Sequence, residues 1–171
     1  QGGRISGNLA AIRDELAAQH PEVEVVELVR LAQGGRRGKL SQWQFGWRAG
    51  WYLASSAVVV LDDYFFPLYV VKRRPGTYVV QVWHAAGAFK QFGYSLSKGE
   101  KTFGAKPTLL DRVRIHSNYD LALLSSMRFA PFYAEAFDQP ESLFSSALGM
   151  ARTDVLCDPV RRAEATARVR A

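Results

Sequence analysis

The sequence predicts an α/β fold, a Rossmann-like parallel sheet flanked by helices, and three observations lead there. Short, largely apolar runs recur at 57–61, 78–82 and 121–124, each short enough for a buried strand. Segments of helical length separate them. Helix and strand alternate along the chain, the pattern of a doubly wound parallel sheet rather than of hairpins. With 171 residues, there is enough chain for one domain with a hydrophobic core and too little for two.

Each element has its own reason. Ser6-Gly7-Asn8 followed by Leu9, Ile12 and Leu16 reads as a capped amphipathic helix. It should stop near His20-Pro21, because proline disfavours helix at the residue before it. Residues 23–30 read as a strand of mixed alternation, and 33–39 as a flexible, basic loop. Residues 41–55 have helical length, with Trp43, Trp47 and Trp51 on one face. Such a stripe is more often core; Arg36, Arg37, Lys39 and Arg48 nearby keep a membrane-interface reading open. A strand follows over 57–62.

Lys72-Arg73-Arg74-Pro75-Gly76 makes a basic turn into the central strand. Residues 121–124 form another strand, and 130–137 a helix with Pro131 in its first turn. A last strand is expected within 142–148. Asp158-Pro159 should cap a terminal helix running to about Arg170.

Composition narrows the function classes. The chain is 48% hydrophobic and 22% charged, with a formal charge of +6, so acidic partners are favoured: phosphorylated polymers, nucleotides, anionic lipid or nucleic acid. The basic residues are scattered, without a helix-turn-helix, zinc-finger or RNP-type signature, which argues against nucleic acid. Cys157 is the single cysteine and the histidines are His20, His84 and His116; neither type shows metal-ligand spacing. No G-x-G-x-x-G follows a strand, which argues against a dinucleotide-dependent oxidoreductase. No metal or other cofactor is called for. No apolar run is long enough to span a bilayer, so the cytoplasm is the expected compartment. A chain opening on Gln1 reads as part of a longer protein.

The strand at 77–82 ends in Trp83-His84 and opens into a loop carrying Gly87, Lys90 and Gly93. An imidazole at the carboxyl end of a strand, followed by backbone able to approach a ligand, lies where open α/β sheets place their chemistry. Lys90 adds a cation for an anionic substrate.

The run Trp83-His84-Ala85-Ala86-Gly87-Ala88-Phe89-Lys90-Gln91-Phe92-Gly93 resembles the Trp-His–Gly-Thr-Pro–Leu-Lys–x–x–Gly signature of the CDP-glycerol glycerophosphotransferases. These build teichoic-acid-type polymers. Trp-His, Lys and the closing Gly match in spacing; the Gly-Thr-Pro does not. Four further segments are similar to the same family. Ser6 to Ile12 resembles its Ser-Gly-Asn-Pro-Arg-Ala-Ile, with Leu9 for the proline. Residues 54–67 resemble a strand followed by Asn-Asp and an aromatic-proline element, Asp63 falling on the shared aspartate. Asn118 to Ser126 resembles its Tyr-Asp-x-x-x-x-Ser segment. Gly149-Met150-Ala151-Arg152-Thr153-Asp154 resembles its Gly-x-Pro-Arg-Asn-Asp, with Ala151 and Thr153 as departures.

The resemblance implies the amino-terminal half of a two-Rossmann-domain GT-B fold. Residues 1–157 would be the acceptor-side domain and 158–171 a helix or linker toward a nucleotide-binding domain holding most of the CDP-glycerol site. It implies glycerol phosphate transfer from CDP-glycerol to a lipid-linked or polymeric acceptor, at the anionic inner face of the cell membrane. His84 is the candidate general base, or alternatively a phosphate ligand. Lys90, Gly87, Gly93, Arg152, Asp154 and Asp63 are candidate substrate-binding residues, against plainer roles as loop, ion-pair and cap residues. His116, in a polar stretch, reads as a surface histidine. Two other readings stay open: half of a sugar-transferring GT-B glycosyltransferase, and a non-catalytic module binding anions or membranes.

Overall fold

Parallel pairing carries the fold. The computed structural model describes residues 5–29, 35–96 and 113–170. Four strands, β1 (Val58–Leu61), β2 (Tyr78–Gln81), β3 (Leu121–Leu123) and β4 (Phe144–Ser145), form one sheet in the order β1-β2-β3-β4. Every pair is parallel, with Val60 opposite Val80, Gln81 opposite Ala122 and Ala122 opposite Phe144. The α/β expectation holds. The strand order does not reverse among the described residues, so the switch point of a doubly wound sheet is not found among them.

Five α-helices surround these strands among the described residues: α1 (Gly7–Gln19), α2 (Gly35–Ser55), α3 (Phe66–Val70), α4 (Ala130–Phe137) and α5 (Pro159–Arg170). α1 stops where proline demands: the His20 N–H bonds to the Leu16 carbonyl at 2.8 Å and Pro21 follows. Its start departs from expectation. Ser6 stands at the cap position without a side-chain cap bond, and Leu9, Ile12 and Leu16 are only half-buried. The residue α1 buries is Asn8.

α4 fits its sequence closely. Pro131 sits in the first turn, where its missing N–H removes no helical bond, and Ala130, Tyr133, Ala136 and Phe137 face the core. Those residues join Val79, Trp83, Ala122, Leu124 and Phe144 in one cluster. α5 is capped as expected, the Val160 N–H donating to Asp158 Oδ1 at 2.9 Å.

Several expectations are corrected. The described part of the 23–30 segment forms no strand, and Val23, Val25 and Val26 are exposed. Arg13 ties it to α1 through Glu27 at 2.8 Å. The basic loop is helical from Gly35 on, and its residues 33 and 34 lie outside the described residues. The last strand shrinks to two residues, because Pro140 starts a 3₁₀ turn at Glu141–Leu143 and a turn at 146–149 follows. Asp63 does not cap α3, whose cap position is Phe65; its Oδ1 instead accepts from the Tyr64 N–H at 2.7 Å.

The tryptophan stripe is not core. Trp43, Trp47 and Trp51 are 68, 68 and 65% exposed, whereas α2 buries Ala49 and Leu53. Residues two apart on a helix lie about 200° round its axis, so burying the alanine and leucine turns the indoles outward.

Candidate functional site

Two strand ends build the site. β1 ends before Asp62-Asp63, and β2 ends before Val82-Trp83-His84. His84 is exposed, and its Nδ1 lies 2.9 Å from the Asp62 carbonyl oxygen. A carbonyl can only accept, so Nδ1 carries a proton, and in the neutral ring Nε2 is left with the lone pair. The imidazole also stacks on the Trp83 indole, with centroids 4.7 Å apart. The Asp62 carboxyl is half-buried and is held above the usual carboxylate range, first by burial and then by the like charge of Asp63, with His84 opposing.

Trp83 has φ 46°, a left-handed backbone that is a genuine outlier for a bulky residue. Its surroundings hold it there. Its N–H donates to Gln81 Oε1 at 2.9 Å, and its carbonyl accepts from Asn8 Nδ2 at 2.7 Å. The indole packs edge-on to Tyr64 and Phe137, each with centroids 5.3 Å away, and stacks on Phe92 at 5.2 Å.

Asn8 reaches in the other direction too. Its Oδ1 accepts from the Arg152 backbone N–H at 3.0 Å. One buried carboxamide thus brings together the start of α1, the end of β2 and the 3₁₀ segment Ala151–Leu156. Gly7, at φ +61°, lies against Arg152, whose Cδ is 3.8 Å from where a Cβ would sit. Arg152 and Asp154 are exposed, the former bonded through its backbone to the clamp on Trp83. Asp63 is exposed, and its carbonyl accepts from Gln81 Nε2 at 3.1 Å. His84, Asp63 and Arg152 are therefore tied to one constellation.

The loop after His84 is pinned by its carbonyls. Ser125 Oγ donates to Ala86, and the Tyr133 hydroxyl to Ala85 at 3.2 Å. Lys90 is exposed on this loop. Gly87 is buried, and a Cβ there would meet the Phe129 and Phe89 rings at 3.2 Å. Gly93 is buried at φ +59° and faces α4: a Cβ would stand 2.1 Å from the Ala136 carbonyl oxygen. The need for glycine at 93 comes from this packing.

Beneath the site lies a polar network absent from the sequence reading. Gln81 Nε2 donates to the Tyr119 hydroxyl at 3.3 Å, which pairs with the Tyr69 hydroxyl at 2.7 Å. His116 joins it, with Nδ1 3.4 Å from that Tyr119 oxygen. His116 is not a surface residue: it is fully buried, with burial pushing its pKa down to about 3. The signal for Gln81 was one amide inside an apolar strand, and for Asn8 one amide in the first turn of a helix.

No group of three or more His, Cys, Asp or Glu among the described residues is arranged to hold a metal ion, and no described helix is long and apolar enough to cross a membrane.

Comparison with known proteins identifies the family. The model of the family described as CDP-glycerol:poly(glycerophosphate) glycerophosphotransferase matches residues 1–170. The teichoic acid ribitol-phosphate primase of Bacillus spizizenii is 39% identical over 151 residues, 88% of this chain and 38% of that protein. The teichoic acid ribitol-phosphate polymerase TarK of Staphylococcus aureus is 34% identical over 155 residues, 90% of this chain and 28% of that protein. The chain thus spans less than two fifths of the length of these relatives. A structure of the wall teichoic acid polymerase TagF shares the fold, with TM-score 0.67 and 16% identity over 99% of this chain and 42% of that one.

Proposed function

The chain belongs to the CDP-glycerol:poly(glycerophosphate) glycerophosphotransferase family, and from that premise we propose that it forms the acceptor-side wall of an enzyme of teichoic-acid-type polymer synthesis. The reaction is transfer of glycerol phosphate from CDP-glycerol to a lipid-linked or polymeric acceptor. An acceptor hydroxyl attacks the β-phosphorus, a new oxygen–phosphorus bond forms, and the bond to CMP breaks with its electron pair leaving on CMP. The hydroxyl proton passes to His84 Nε2.

One observation carries the assignment: the bond from His84 Nδ1 to the Asp62 carbonyl, which leaves Nε2 as the acceptor nitrogen on an exposed ring. A hydroxyl is a weak nucleophile at neutral pH, so a base held in this tautomer speeds its attack. Arg152 and Lys90 supply cations for the phosphoryl oxygens, and Asp63 and Asp154 contact the acceptor or its neighbouring groups. The loop at Gly87 and Gly93 sets the path of the backbone under them. Residues 1–157 make up this wall, and 158–171 lead toward the domain that binds the nucleotide. The exposure of most of α5 supports its reading as a connector. The exposed indoles of α2 support peripheral attachment at the cytoplasmic face of the membrane.

Ribitol phosphate is the second reading for the transferred group, favoured by the identity of 39% with a ribitol-phosphate primase. CMP release from CDP-glycerol and from CDP-ribitol, measured on the intact protein, separates the two. His84→Ala should lower release from the preferred donor by about 10²–10⁴ while leaving the fold intact. Near-wild-type turnover would remove His84 from the chemistry, and turnover of neither donor by the wild type would remove the reaction.

A further inference from the structure

The backbone at Trp83 is left-handed, buried and held at both ends by side-chain amides. Left-handed φ in a bulky residue persists only where the surroundings over-determine it. Here they do. The N–H of Trp83 is taken by Gln81 Oε1 at 2.9 Å and its carbonyl by Asn8 Nδ2 at 2.7 Å. Gln81 and Asn8 are both buried.

The orientation of each carboxamide is fixed from its far side. Gln81 Nε2 faces the Asp63 carbonyl at 3.1 Å, which leaves Oε1 toward Trp83. Asn8 Oδ1 faces the Arg152 N–H at 3.0 Å, which leaves Nδ2 toward the Trp83 carbonyl. Flipping either amide would set donor against donor and acceptor against acceptor.

The Trp83 carbonyl belongs to the peptide unit that leads into His84. Whatever fixes that plane fixes where the imidazole starts. His84 is itself exposed and has two restraints on its ring, the Asp62 carbonyl and the Trp83 indole. The residue after Asp62 is held by Gln81, so one amide secures both sides of the His84–Asp62 bond.

We infer that Asn8 and Gln81 are positioning residues for His84: by clamping Trp83 in its left-handed conformation they aim the imidazole at the Asp62 carbonyl and so hold it as the Nδ1–H tautomer. This rests on the reading of His84 as general base. Without the clamp Trp83 relaxes toward extended φ, the 83–84 peptide plane turns, and Nδ1 leaves its acceptor. Displacements of about 1 Å at a reacting group can cost about 10²-fold in rate.

The test is Asn8→Asp, which keeps the volume and the acceptor for Arg152 but sets an oxygen against the Trp83 carbonyl. Two readouts are taken on the intact protein: the ¹⁵N shifts of the His84 ring, which report its tautomer, and kcat and KM for CMP release from the preferred CDP-polyol. The inference expects loss of the Nδ1–H tautomer and a fall in kcat of roughly ten- to a hundredfold, with KM within twofold of wild type. Should Asn8→Asp not fold, Asn8→Ala and Gln81→Ala carry the same readouts, and Gln81→Glu, which retains the acceptor for the Trp83 N–H, should restore more of the tautomer than Gln81→Ala. An unchanged tautomer in the folded variants overturns the clamp, as does a changed tautomer with kcat intact in a protein whose His84→Ala variant is inactive. If His84→Ala keeps its turnover, the base reading fails by itself, and the ring shifts still decide whether the clamp exists.

Discussion

The imidazole of His116 lies flat on the ring of Phe137, with centroids 3.8 Å apart and planes 5° from parallel. A charged ring in that place would be stripped of water, and burial pushes the His116 pKa down to about 3. The unfolded chain holds its proton near pH 6.5. The folded value is the lower one, so the unfolded state binds more protons between those limits, and stability falls as pH drops through them. About 2 kcal/mol of wild-type stability should disappear between pH 7 and 5. His116→Phe keeps a stacked ring and loses the titration. Urea unfolding at the two pH values should give a smaller loss for the variant; equal losses would mean that His116 does not govern the acid response.

Position 93 tests whether a loop glycine serves ligand or packing. Alanine there would bring Cβ to 2.1 Å from the Ala136 carbonyl at a φ of +59°. Overpacking costs about 1–3 kcal/mol and the left-handed backbone about 1–2 more. Gly93→Ala should therefore lower the urea midpoint sharply, with KM for the CDP-polyol little changed in whatever fraction remains folded. A rise in KM at full stability would assign Gly93 to the substrate instead.

The ion pair at the other end of the sheet should separate stability from catalysis. Arg73 holds both carboxylate oxygens of Asp120, while Oδ2 also accepts from the Val79 N–H at 2.7 Å. The Arg73 guanidinium, opposed by burial, keeps the Asp120 carboxyl below the usual range. A depressed carboxylate stabilises the fold above its unfolded pKa of about 3.9 and stops doing so as pH falls through the folded value. The Asp120 contribution thus vanishes at lower pH than that of His116. Asp120→Asn should cost about 1–3 kcal/mol at pH 7 and leave kcat within twofold; a large loss of kcat at full stability would link this end of the sheet to the reaction.

How far the sequence could be read depends on the range of the interactions. β1, β2 and α4 were legible because apolar runs and Pro131 act through their immediate neighbours. His84 was legible because a histidine after a strand of valines marks the end of that strand. Asn8 was visible as a residue of a motif, but its bonds cross 75 and 144 positions, and no local pattern encodes a partner that distant. His116 was misread for the same reason: its neighbours in sequence are polar, and those in space are Phe137, Tyr64 and Trp83. The segment 23–30 failed in the opposite way, since its valines favour extended backbone and nothing local says whether another strand will accept it.

The outward indoles of α2 make a prediction that depends on what meets them. Trp43, Trp47 and Trp51 recur every fourth residue, and the exposed Arg48 lies within the same turns. Indoles favour the boundary between headgroups and acyl chains, and a cation near an anionic surface contributes about 1 kcal/mol. Co-sedimentation should therefore rise with the fraction of phosphatidylglycerol in the vesicles and fall with salt, since screening shortens the reach of the charges. Trp47→Ser should weaken pelleting without moving the thermal midpoint, because an exposed side chain away from the core is usually worth less than about 0.5 kcal/mol to folding. A lower midpoint with unchanged pelleting would mean that the stripe packs on protein. Equal pelleting on phosphatidylcholine alone would leave the indoles engaged and take the charge out of the account.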